Sequence, residues 1–332
     1  MKKITKSFFS IITLFTLILS ILLPTTIKAQ ERPEKLNIAI VQLITHHSLD
    51  RIVEGIHTEL EAEGYKEGDN LTIDFHNAEG DLNLLTTISE QVVAKNPDII
   101  FAVTTPVVQA FQNKTKDIPI VFCGVTDPID ANVVDNLEKP GQNITGTSDA
   151  PPLEPHFELM KEFMPEMKKI GMIYTTSEDS ALVEIEDAKK LAEEKFGLEV
   201  QIEGIANSMD MQLVGQKLAG KVDAIYVPSD NIIASSFDTL IDETDRAKIP
   251  VFPIVDQMVQ QGGVAASAIS QESLGTEGVK IAMRVLDGEK IGDIPVKFIE
   301  DTKFVYNSKA CDLLGIKVPE KLKDKLEDLG GN

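Results

Sequence analysis

Short apolar runs alternate with amphipathic stretches along almost the whole chain. LNIAIVQ (36–42) is followed by a helical pattern from Ser48 to Glu63, closed by Gly64. LTIDFH (71–76) leads to a second helix from about Leu82 to Lys95, DIIFAV (98–103) precedes a third, and IPIVFC (118–123) ends the group. The series then restarts. KKIGMIY (168–174), LEVQIEG (198–204), VDAIYV (222–227) and IPVFPI (249–254) are strand candidates, with helices predicted over 179–195, 208–218 and 231–247. Ile- and Val-rich runs with a helix between each pair predict βαβ units, and hence parallel sheets covered on both faces. Between the two series, EKPGQNITGTSDAPPLEP (138–155) is dense in Pro, Gly and hydroxyl residues. It is expected to be a crossing between lobes rather than a helix or a central strand.

The halves echo each other: Asp98-Ile99-Ile100-Phe101 matches Asp223-Ala224-Ile225-Tyr226, and Ile118-Pro119-Ile120 matches Ile249-Pro250-Val251. An internal repeat of this kind predicts two similarly built α/β lobes. Ligands of doubly wound sheets bind outside the carboxyl ends of the strands, at helix N-termini. Two hydroxyl-rich strand ends stand at that place, Thr104-Thr105-Pro106 and Ser229-Asp230-Asn231. Both also suit helix capping, with Pro106 in a first turn. If the lobes face each other, the two ends are opposite walls of one cleft.

Residues 1–29 carry Lys2, Lys3 and Lys6, the apolar run FFSIITLFTLILSILL (8–23) and a short polar stretch to Ala29. That is the order of a secretory signal peptide, and the run is short of the ~20 residues that span a bilayer. An uncleaved anchor is the alternative. No cysteine lies near the cut, so a lipid anchor is not expected and the mature chain is read as exported and soluble. Loss of the four lysines of this segment takes the net charge from −21 to −25. Such a chain is repelled by nucleic acid and by anionic lipid. Cys123 and Cys311 are read as two buried thiols. About 300 mature residues exceed one ordinary core, so two domains are expected. The charged tail KVPEKLKDKLEDLGGN (317–332) reads as a solvated terminal helix.

With these stretches assembled, the chain resembles the tryptophan/tyrosine-type substrate-binding proteins of ABC importers. The resemblance runs from about Leu36 to Ile316. It is carried by VAKNPDIIFAVTTPVVQAF (93–111), IPIVFCGVTDPIDANVVDNLEKPGQNITGTSD (118–149), LAGKVDAIYVPSDN (218–231), AKIPVF (247–252) and AEGYKEGDNLTIDFHNAEGD (62–81). It implies a periplasmic-binding-protein fold of type I: two doubly wound parallel-sheet lobes joined by a three-strand hinge. Lobe 1 would hold 35–147 and about 271–300, and lobe 2 would hold 148–270 and about 301–332. The helix near Ser273–Leu286 would return to lobe 1, and the strand near 299–306 would lead back to lobe 2. The implied activity is non-enzymatic and needs no cofactor. A monomer would capture a small polar ligand, an amino acid that is aromatic in several relatives, and deliver it to a permease with its ATPase. An exported sensor that presents its ligand to a membrane receptor is the alternative.

A zwitterionic amino acid needs donors for its carboxylate, an anion for its ammonium and an apolar slot. Thr104 and Thr105 are candidates for the carboxylate. Asp230 is a candidate for the ammonium, with Ser229 and Asn231 beside it and Asp256, after the IPVFPI strand, as a second choice. Thr126-Asp127 and Ser148-Asp149 match polar loops of the family, although Asp127 before Pro128 is also ordinary turn chemistry. Ser177-Glu178, after the KKIGMIY strand, would open onto the same cleft. Where relatives commonly carry Glu-His-Pro, this chain has Thr45-His46-His47, with Thr45 and His46 as ligand candidates. TTSEDS (175–180) and AISQESL (268–274) also depart from the family pattern. These departures fall where a ligand side chain would be read. The adjacent histidines lack a spaced partner or nearby cysteine and do not make a metal set. With no tryptophan and four tyrosines, a stacked sugar is not the expected ligand.

Overall fold

The computed structural model describes residues 32–299 and 302–331; the predicted signal peptide lies outside them. Among the described residues no helix is long and apolar enough to cross a membrane. The first body is built from β1 (Leu36–Gln42), α1 (His47–Ala62), β2 (Leu71–Asn77), α2 (Leu82–Lys95), β3 (Ile99–Val103), α3 (Thr105–Gln112), β4 (Ile120–Cys123) and β5 (Ile144–Ser148). Every neighbouring pair of its sheet, in the order β5-β4-β3-β1-β2, is parallel. Alternate residues face opposite layers. Ile38, Ile40, Phe101 and Val121 pack with Leu49, Ile52 and Ile56 of α1, whereas Ala39, Ile100 and Phe122 pack with Leu85 of α2 and Phe111 of α3. Burial on both faces explains why these strands read as continuous apolar runs.

The second body comprises α4 (Leu153–Phe163), β6 (Lys169–Thr175), α5 (Asp179–Glu194), β7 (Glu199–Ile205), α6 (Met211–Leu218), β8 (Ala224–Val227), α7 (Asn231–Ser235), α8 (Phe237–Ala247), β9 (Val251–Pro253), α9 (Asp256–Gln260) and β10 (Ala265–Ile269). Its main sheet, β7-β6-β8-β9, is again parallel. The chain then returns to the first body through α10 (Gln271–Leu286) and β11 (Lys297–Phe298), which adds to the sheet beside β5. It leaves again for β12 (Thr302–Tyr306), α11 (Ser308–Leu314) and β13 (Leu326–Asp328). The two lobes are thus linked at three places: after β5, at Ser270 and after β11.

The return helix is seated closely. A Cβ on Gly55 would stand 2.2 Å from the carbonyl oxygen of Glu272, and one on Gly275 would stand 2.0 Å from that of Ile52. Only glycine lets the backbones of α1 and α10 approach this far.

Four expectations need correction. Residues 144–148 are not mere crossing chain but a fully buried strand of the first sheet. Its threonines tolerate burial because their hydroxyls donate to main-chain carbonyls, Thr145 to Ile294 at 2.9 Å and Thr147 to Leu274 at 3.0 Å. The tail is not a helix: a short 3₁₀ turn (Glu320–Leu322) leads to β13, which pairs with β12. The helix expected over 231–247 breaks at Ser236 into α7 and α8. Finally, β10 and β12 form an antiparallel pair in a small third sheet that the apolar pattern did not reveal.

Candidate functional site

The carboxyl ends of both parallel sheets face one narrow cavity between the lobes, with a volume of about 30 Å³. Eight of the fourteen candidate residues line it: His46, Thr104, Thr105 and Thr126 from the first lobe, Asp149 at the crossing, and Ser229, Asp230 and Asn231 from the second. The lobes touch across it, His46 Nε2 lying 3.3 Å from Asn231 Oδ1.

Thr104 follows β3 with φ 84° and ψ 161°, a region open to glycine and strained for a β-branched residue. Its N–H donates to Cys123 O at 3.0 Å, which ties it to the end of β4. Its side chain makes no capping bond to α3, contrary to the expected cap, and Oγ1 is buried without a partner. Gly124, directly after β4, has φ 76°, and a Cβ there would meet Ile52 Cδ1 at 3.3 Å, so the cavity floor needs glycine.

Asp149 lies just past β5, where the chain leaves the first lobe. Its Oδ1 is buried without a partner. Burial pushes the carboxyl up to about 6, against the hydrogen bond of the Thr126 side chain. An uncompensated carboxylate in such surroundings attracts a cation or a strong donor.

The second lobe is different, because its polar groups satisfy one another. Asp230 accepts from Thr175 N at 2.6 Å, Thr175 Oγ1 at 2.7 Å and Ile233 N at 2.9 Å. It caps α7 and straps that helix to β6. Burial raises its carboxyl. Glu178 accepts from Asn231 N and Ile232 N, both at 3.2 Å, and from Asn231 Nδ2 at 2.7 Å. Burial, reinforced by Asp230, pushes it up to about 8 against those donors. Glu184 sits behind Ser229, accepting its N–H at 3.1 Å and the Tyr226 hydroxyl, and burial raises it to about 7.

Six candidates lie outside the cavity. Thr45 is exposed and accepts from Asn77 Nδ2 at 2.6 Å. Asp127 caps its own turn, accepting from Ile129 N and Asp130 N at 3.0 and 2.9 Å. Ser148 Oγ donates to Thr126 O at 3.2 Å. Ser177 is exposed on a second hollow of about 190 Å³ between the lobes that shares Thr105 and Ser180 with the cavity, and Glu178 serves α7. Asp256 opens α9 and accepts from Gln257 N at 2.9 Å, with burial raising it to about 6.

The apolar part of the lining was not foreseen: Leu49 and Ile52 of α1, Ala234 of α7, and Val255 and Met258 around α9. In sequence these are ordinary amphipathic-face residues. Ser48, Ser180 and Gln271 also line the cavity; Ser48 stands at a helix start beside the candidates, and Ser180 and Gln271 belong to the TTSEDS and AISQESL stretches that depart from the family pattern. No phenylalanine, tyrosine or tryptophan is among the described lining residues.

The family model described as ABC transporter substrate binding protein matches residues 37–327. A tyrosine-binding protein of Clostridioides difficile is 39% identical over 289 residues, covering 86% of this chain and 84% of that protein. A Streptococcus pneumonia ABC domain in complex with L-Trp is 38% identical, covers 89% of this chain and 99% of its own, and superposes with a TM-score of 0.85. The ligand-free, open structure of a Clostridium difficile substrate-binding protein with adhesive properties is 36% identical over 88% of this chain and 98% of its own, with a TM-score of 0.69. At nearly equal identity, the better match to the complex agrees with lobes that touch across the cavity.

Proposed function

The chain belongs to the ABC transporter substrate-binding protein family, and from that premise we propose that it is the extracytoplasmic receptor of an importer for an amino acid. The observation that carries this reading is a set of three unpaired buried polar groups on one cavity: His46 Nδ1, Thr104 Oγ1 and Asp149 Oδ1. Asp149 takes the ammonium. Thr104 and Thr105, at the start of α3, offer hydroxyls to the carboxylate. Leu49, Ile52, Val255 and Met258 form the apolar slot for the side chain.

Tyrosine and tryptophan are the first ligands to test, since relatives bind them. The lobes, 35–147 with 271–300 and 148–270 with 301–332, move as two bodies that close on the ligand. The protein releases that ligand unchanged to a permease and its ATPase. Titration calorimetry on refolded, ligand-stripped protein with a panel of amino acids is the test. Saturable binding with the ligand recovered intact is expected. Chemical turnover, or no binding of any amino acid, removes the reading.

A further inference from the structure

His46 and Asn231 face each other from opposite lobes, and Asn231 is not free to present either end of its amide. Its Nδ2 donates to Glu178 Oε2 at 2.7 Å, and the same carboxylate takes the main-chain N–H groups of Asn231 and Ile232. Main-chain N–H groups only donate, so Glu178 is engaged as an acceptor and Asn231 turns its NH₂ towards it. What Asn231 offers His46 is therefore the carbonyl, itself an acceptor. The imidazole must place its proton on Nε2 to meet it, and burial lowers this ring to about 4, which keeps it neutral. A neutral ring protonated at Nε2 has a bare lone pair at Nδ1. That atom is buried without a partner among the described residues, on a ring that lines the cavity.

We propose that Asn231, oriented by Glu178, selects the tautomer of His46 when the lobes close, so that Nδ1 meets the ligand as an acceptor for its amine. Asn231 and Glu178 act as positioning residues; His46 touches the ligand. In an open cleft the two side chains are apart and the ring exchanges tautomers freely. Closure removes that freedom. A ligand with an ammonium group then satisfies Nδ1 as well as Asp149, whereas a desamino analogue leaves two buried acceptors unpaired. Recognition of the amine is thereby linked to closure itself.

The proposal rests on the amino-acid reading above, and its test separates the two. Ring ¹⁵N-labelled protein is bound to L-tyrosine or L-tryptophan at a pH above the Glu178 titration. Long-range ¹H–¹⁵N correlation then reports the His46 tautomer, assigned by its loss in His46→Gln. The expected result is a single Nε2–H form in the complex. Glu178→Gln frees the Asn231 amide, so that variant should show a mixture of tautomers. It should also narrow the preference for L-tyrosine over 3-(4-hydroxyphenyl)propionate by roughly tenfold. Asn231→Ala should do the same where Glu178→Gln folds poorly. A complex holding the Nδ1–H form, or variants that keep both the single tautomer and the full preference, overturns the proposal alone. Failure of the wild type to bind either amino acid removes the functional reading and the proposal together.

Discussion

Thr175 donates both its main-chain N–H and its hydroxyl to the Asp230 carboxylate, at 2.6 and 2.7 Å. With Ile233 N as third donor, Asp230 is spent on holding α7 against β6. Its substitution should therefore be felt in the free protein. Asp230→Ala is expected to cost on the order of 3 kcal/mol, lowering the thermal midpoint by roughly 6 to 12 °C, with Asp230→Asn milder. An unchanged midpoint with lost binding would return Asp230 to the role of ligand partner.

Asp149 is the opposite case. Its Oδ1 has no internal partner, so Asp149→Asn should leave the free protein as stable as before or slightly more so. Affinity for an amino acid should fall by about 1.5–3 kcal/mol, roughly ten- to more than a hundredfold, in calorimetric titration. The desamino analogue should lose much less.

Thr104 lets strain and contact be separated. Thr104→Gly relieves the backbone at φ 84° and should raise the thermal midpoint of the free protein by the equivalent of about 1 kcal/mol, while affinity drops. Thr104→Val keeps the strain and removes the hydroxyl, so affinity should fall with little change in midpoint. Thr104→Ser should bind nearly as the wild type does. Equal affinity in all three would remove Thr104 from the site.

The raised carboxyls set the sign of the pH dependence. Asp149 and Asp256, both near 6, and Glu184, near 7, hold protons in the closed protein at pH values where the unfolded chain has lost them. In that window the folded state binds more protons, so its stability falls as pH rises. Thermal melts should show a midpoint declining between about pH 4 and 7, with a shallower slope in Asp149→Asn. Binding has the other sign: an ammonium needs the anion, so affinity should weaken about tenfold per unit below about pH 6.

The parallel strands could be read because burial on both faces leaves an unbroken apolar run, as in Ile99–Val103. Ile144–Ser148 could not, because its polar side chains are satisfied by carbonyls that come from residues 274 and 294. The same limit applied to the site. Thr104 and Asp230 occupy matching strand ends and look equivalent in sequence. What distinguishes them is whether distant groups have already used their bonding capacity, and Thr175, 55 residues from Asp230, does so for one and not the other. Residue types at strand ends show where a cleft lies, but not which of its groups are left for a ligand.

The tight seating of α10 on α1 has a mechanical meaning. With no room for a methyl group at Gly55 or Gly275, the returning helix is a splint fixed to the first lobe, and Ser270 alone separates it from β10. Gln271, the next residue, lines the cavity. A ligand atom pressing there acts at the pivot and not at the end of the lever arm. Were the lobes to turn about Ser270, a displacement of a fraction of an ångström at Gln271 would be magnified at their outer rims.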